Sequence, residues 1–136
     1  MPDVFEERCV AVANLPELIA TTPHMIIEAD TEDVFFKNEL MKNIASELAK
    51  VQQLPFLPLL CSNGSSVNIE GVAEDVPEPF RKWIIGILFI EGVWGQDDVC
   101  VMPNSASANN TTREKYAYAL LRGMKMMPLR RGQYHS

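Results

Sequence analysis

The sequence predicts a mainly helical single domain of about four helices, with a minor strand near residues 67–74 and an extended basic C-terminal arm. Three observations lead there. Four stretches carry apolar residues at helical spacing or length, each bounded by Pro, Gly or Ser/Asn clusters. The chain has 136 residues and a mass of 15.3 kDa, enough for one core but not two. Its charge is divided: residues 113–136 hold six Lys/Arg and one Glu, net +5, while residues 1–112 are net −11. The expected division is a globular body over 1–127 and an arm over 128–136.

The first helix is expected over about Val4 to Ile19, interrupted at Pro16, with Val4, Phe5, Cys9, Val12 and Leu15 inward. Thr21-Thr22-Pro23-His24 breaks the chain, and Met25 to Ala29 suits a short strand or an extended link. The second helix has the clearest pattern. Thr31 suits its cap, and Glu32 and Asp33 favour the positive end of its dipole. Phe36, Leu40, Met41, Ile44, Ala45, Leu48 and Val51 form its inner stripe, and Lys37, Asn38, Lys42, Asn43, Glu47 and Lys50 its wet face. Pro55 stops it.

Leu54 to Leu60 reads as an apolar extended connector and Cys61 to Ser66 as a turn. Val67 to Glu74 alternates with period two, which suits one strand. Pro79 then opens a third helix over about 79–94, apolar on nearly all sides from Trp83 to Trp94, so that other helices or a neighbouring chain must cover it. A long loop follows over 95–110, with a short strand at Asp98 to Met102. Thr111 and Glu114 form a capping box for a fourth helix that ends near Met127, and Pro128 releases the arm.

Composition excludes several classes. The N-terminal residues are acidic and lack an apolar signal core, and the longest apolar run is far short of the roughly 20 residues of a bilayer span. Cys9, Cys61 and Cys100 are odd in number and unpaired in spacing, as for reduced thiols in a cytoplasmic compartment or within an assembled particle. A sequence pI near 4.9 argues against nucleic acid binding by the whole body. His24 and His135 have no partners at zinc-ligand spacing, and Glu91, Asp97 and Asp98 lack a calcium-loop pattern, so no metal or cofactor is expected.

The interaction candidates are Arg122, Lys125, Met126, Arg130, Arg131 and Tyr134 near the C-terminus, with Trp83 and Trp94 on the apolar third helix. Together they predict a non-enzymatic assembly protein. It would be a subunit of a homo-oligomer or larger particle, such as a virion neck or connector component, that docks to itself and to other subunits through its arm. One alternative is a nucleic-acid-binding module using the basic C-terminal helix, the arm and Tyr116, Tyr118 and Tyr134. Another is a thiol-dependent enzyme centred on Cys61, which precedes a Ser/Gly turn.

Overall fold

The apolar run that begins at Ile84 is a strand in the middle of a sheet. In the computed structural model, which describes residues 10–29, 33–64, 68–91, 97–104 and 127–129, a single 3₁₀ turn, Phe80–Trp83, leads into β3, Ile84–Glu91. Ile84 joins the core on one face of the sheet, Ile85 and Ile87 the core on the other, and all three are essentially inaccessible. A strand with neighbours on both edges and cover on both faces has no polar side, so its sequence is as uniformly apolar as a buried helix. Three β-branched isoleucines tip the balance toward the strand.

Five strands form one mixed sheet in chain order: β1 (Met25–Glu28), β2 (Leu59–Asn63), β3, β4 (Asp97–Pro103) and β5 (Met127–Leu129). The first three are parallel, β4 is antiparallel to β3, and β5 is parallel to β4. Parallel neighbours need crossovers, and the helices supply them. Helix α2, Val34–Ala49, joins β1 to β2; helix α3, Ile69–Val72, and the 3₁₀ turn join β2 to β3. Helix α1, Leu15–Ala20, precedes β1, with the Asn14 side chain accepting from the Glu17 amide and Pro16 in its first turn.

Met41, Ile44, Ala45 and Leu48 of α2 pack with Ile19 of α1 and Val72 and Ala73 near α3 on Ile26, Leu60 and Ile84, one alternating row of the three parallel strands. Leu59, Cys61, Ile85, Ile87 and Val101, with Met25, Ile27 and Trp83 beside them, make a second cluster on the opposite face. Asn104 ties the end of β4 back to the start of β3, its amide donating to the carbonyls of Ile84 (2.8 Å) and Arg81 (3.0 Å).

The mainly helical reading is therefore corrected to α/β. The third helix is mostly β3, because an eight-residue apolar run carries no helical period to distinguish the two. The expected strand at 67–74 is instead the short helix α3, whose first turn is held by the Asn68 side chain accepting from the Gly71 amide. The connector and turn around residue 60 contain β2, and Met127 and Pro128 belong to β5. Met25 and its successors do form a strand, as does the segment around Asp98. Thr31, the fourth helix over residues 111–126 and the arm beyond Leu129 lie outside the described residues.

Candidate functional site

Helix α2 buries Met41, Ile44, Ala45 and Leu48, as its apolar residues suggest, but its first turn departs from that expectation. Phe35 and Phe36 are 69% and 65% exposed, whereas Lys37 is 0% and Asn38 9% exposed. Positions 34, 37, 38, 41, 44, 45 and 48 form one helical stripe, and that stripe is buried or half-buried throughout. The helix thus places a lysine under its first turn while two phenylalanines face outward.

Polar partners account for this phase. Lys37 Nζ donates to Glu28 Oε2 at 2.6 Å and to the Asn63 carbonyl at 2.7 Å. Ser62 Oγ donates to the same Glu28 oxygen at 3.0 Å. Side chains alternate along a strand, so Glu28 and Ser62, two residues beyond Ile26 and Leu60, point to the same helix-covered face. The side chains of Lys37 and Glu28 are 0% and 1% exposed. Removal of either charge would strand the other in a dry interior, which is far more costly than the loss of one hydrogen bond. Asn38 serves the fold, donating to the carbonyls of Val72 (2.9 Å) and Glu74 (2.7 Å) that end α3.

The cluster's place in the sheet gives it functional interest. Glu28 and Asn63 are the last residues of β1 and β2, so the charged group sits at the carboxyl ends of parallel strands. Open α/β sheets bind their ligands outside those ends. Lys37 holds the backbone of Asn63, and the Gly64 amide donates to the Ile87 carbonyl at 3.3 Å, so the chain leaving β2 is anchored on both sides. The ion pair is enclosed, with Lys37 turned to Glu28 and the Asn63 carbonyl, and Ser62 turned to Glu28.

The residues singled out from sequence fall elsewhere. Trp83 is in the 3₁₀ turn, half-buried against the second cluster. Trp94, Arg122, Lys125, Met126, Arg130, Arg131 and Tyr134 lie outside the described residues. His24, just before β1, stacks on Phe56 with ring centroids 4.3 Å apart, at the amino end of the sheet and away from the cluster. Cys61 lies inside β2 with 0% exposure, and burial pushes its thiol up to about 12, which removes the basis for a thiol-dependent enzyme. Among the described residues no group of three or more His, Cys, Asp or Glu is placed to hold a metal ion. Lys37 and Asn38, expected on the wet face of the helix, are buried instead; the signal for Lys37 is its phase with Met41, Ile44 and Leu48, and Glu28, Ser62 and Asn63 stand out only as polar residues ending apolar runs.

Comparison with known proteins gives one kind of match. No protein-family model matches the chain, and no curated protein sequence does. Among solved structures, 3-hydroxybutyryl-CoA dehydrogenase from Escherichia coli matches with a TM-score of 0.66 at 24% identity over 88% of this chain. The dehydrogenase part of a multifunctional enzyme from Caenorhabditis elegans matches at 0.63 with 19% identity over 82% of this chain. (S)-3-hydroxybutyryl-CoA dehydrogenase from Ralstonia eutropha also matches at 0.63, with 21% identity over 88%. The likeness is one of fold.

This chain spans 23%, 24% and 38% of those three, so it resembles one part of each. The reading as a non-enzymatic structural, virion or connector subunit is corrected by this likeness, since the solved structures that share the fold are dehydrogenases.

Proposed function

We infer that the chain forms one half of a dinucleotide-binding domain of the dehydrogenase type. The observation that carries this reading is the enclosed Lys37–Glu28–Ser62 cluster at the carboxyl ends of β1 and β2, in a sheet of dehydrogenase fold. Doubly wound domains consist of two βαβαβ halves, each facing one mononucleotide. The run β1–α2–β2–α3–β3 is one such half.

Its residues fit only part of the cofactor. None of its seven glycines falls in a Gly-x-Gly-x-x-Gly pattern, the sequence that cradles a pyrophosphate. The carboxyl ends instead present Asn63 and Gly64, backed by Lys37, which suits the nicotinamide-bearing mononucleotide. When bound, that group would supply a hydride acceptor. The protein's own task is to orient it: Glu28 fixes the Lys37 ammonium, and Lys37 fixes the Asn63 carbonyl. The neighbours' names make a 3-hydroxyacyl thioester the first substrate class to test. Cys61, reduced and enclosed in the sheet, is compatible with a reducing compartment such as the cytoplasm.

The test is titration of the full chain with NADH, followed by nicotinamide fluorescence and by calorimetry. Saturable binding is expected, weakened at least tenfold in Lys37→Met. An Asn63→Asp variant keeps the backbone contact and adds a negative charge beside the site, so weakened binding in that variant separates a ligand effect from lost stability. No saturable binding at millimolar NADH would refute the proposal.

A further inference from the structure

We propose that Asn63–Gly64 is a deamidation site, one that the folded chain keeps unreacted by holding a single peptide group at both of its ends. Asn followed by Gly is the pair most prone to this reaction, because glycine has no Cβ to shield the attacking nitrogen or to restrict the backbone turn it needs. The Gly64 amide nitrogen gives its proton to water or hydroxide and attacks Cγ of Asn63. The new N–Cγ bond closes a succinimide ring, the Cγ–Nδ2 bond breaks, and ammonia leaves. Water then opens the ring at either carbonyl, which leaves aspartate or isoaspartate at position 63. Nothing is oxidised or reduced, and water is the only co-reactant.

The fold acts on the peptide group between the two residues. A peptide unit is planar, so the Asn63 carbonyl and the Gly64 N–H turn together. The carbonyl accepts from Lys37 Nζ at 2.7 Å, and the N–H donates to the Ile87 carbonyl at 3.3 Å. Asn63 ends β2 and pairs with Ile87 of β3. In an extended residue the side chain stands off the following nitrogen, so attack on Cγ requires the peptide plane to swing. That swing breaks both hydrogen bonds at once. Lys37 is 0% exposed, so no water replaces the acceptor it would lose. Gly64 is buried as well, which keeps the base from its N–H.

The clamp depends on the ion pair. Glu28 holds the Lys37 ammonium at 2.6 Å, and Ser62 donates to the same carboxylate oxygen. Loosening of that cluster, without unfolding of the rest, frees the peptide plane, and the reaction that follows is not undone when the cluster closes again. The product carries a new carboxylate at the end of β2. Isoaspartate also routes the main chain through the side-chain carbon, which takes Gly64 out of register with Ile87. Position 63 therefore records how long the cluster has stood open.

The experiment incubates the full chain in mildly alkaline buffer, native and in urea, and follows the amide-to-acid mass change at position 63 by peptide mass spectrometry. Isoaspartate is counted by enzymatic methylation. Asn38 and Asn68, followed by Glu39 and Ile69, are internal controls. In urea, Asn63 is expected to convert well ahead of both; in the native chain it converts at least tenfold more slowly, since only the open fraction reacts. Lys37→Met is expected to convert faster than Met41→Ala when the two are compared at equal unfolded fractions, because Met41 belongs to the apolar core and holds no part of the clamp. If Lys37→Met does not fold, the unsubstituted chain decides: below the unfolding midpoint, conversion is expected to follow hydrogen exchange of the Gly64 amide as urea rises. Four results overturn the proposal: conversion as fast in the native chain as in urea, equal rates in the two variants, a rate that follows global unfolding alone, or no conversion in urea. NADH is absent throughout, so the result is independent of the dinucleotide reading.

Discussion

Lys37 and Glu28 carry opposite charges in a place without water, and that arrangement can be tested by substitution. Lys37→Met or Glu28→Gln alone is expected to lower stability by about 3–5 kcal/mol in urea unfolding, since each leaves an uncompensated group. The double variant is expected to fall well short of the sum of the two, a coupling that independent surface charges would not show. Cys61 makes a second prediction. Its folded-state thiol is raised to about 12 by burial, while an unfolded thiol titrates near 8.5–9. Below that range both states hold the proton and stability does not depend on this group. Between about 9 and 12 the unfolded state alone releases it, so stability falls by about 1.4 kcal/mol per pH unit, a slope that Cys61→Ala removes. Native protein at pH 7 should accordingly leave Cys61 unalkylated for hours; alkylation within minutes would refute its enclosure. Thr22 sits at φ 51°, the left-handed position that follows α1, where a β-branched residue is strained. Thr22→Gly is expected to raise stability by about 0.5–1 kcal/mol, read as an increase in Tm.

Helix α2 was legible as an element, and so were its inward residues Met41, Ile44, Ala45 and Leu48, but the inward side of its first turn was not. Counting apolar residues puts Phe36 inside, and the structure puts Lys37 and Asn38 there, because a lysine with a carboxylate partner and an asparagine that caps two carbonyls take inward positions that a propensity count assigns to Phe. Phe36→Ser is thus expected to change stability by about 0.5 kcal/mol or less, and Met41→Ser by several kcal/mol. If Phe36→Ser were the costlier substitution, Phe36 rather than Lys37 would have to face the sheet. The exchange of helix for strand at β3 has another cause. Local sequence shows that Ile84 to Ile90 is apolar, but one of the two strands that flank it, β2, lies more than 20 residues away in the chain. Strands β1 and β4 were readable because turn residues bound short β-branched runs there. The short helix α3 was hidden by chance alternation between Val67 and Glu74, and only the Asn68 cap signals it.

At the level of the whole molecule, the uneven charge of the chain drew attention to its C-terminus, and the fold moves attention to the sheet. The three parallel strands, the two crossovers on one face and the buried ion pair share one logic: the helices that bury the sheet also fix the polar groups at the carboxyl ends of β1 and β2. That site was invisible in sequence because Glu28, Lys37 and Ser62 are 9 to 34 positions apart and match no local motif. The most direct test is a ¹⁵N–¹H NMR titration of the full chain with NADH. Saturable shifts are predicted at Glu28, Lys37, Asn63 and Gly64, with His24 and Phe56 at the opposite end of the sheet unmoved. Shifts confined to the His24–Phe56 end, or none at millimolar NADH, would contradict a dinucleotide site at the carboxyl ends of β1 and β2.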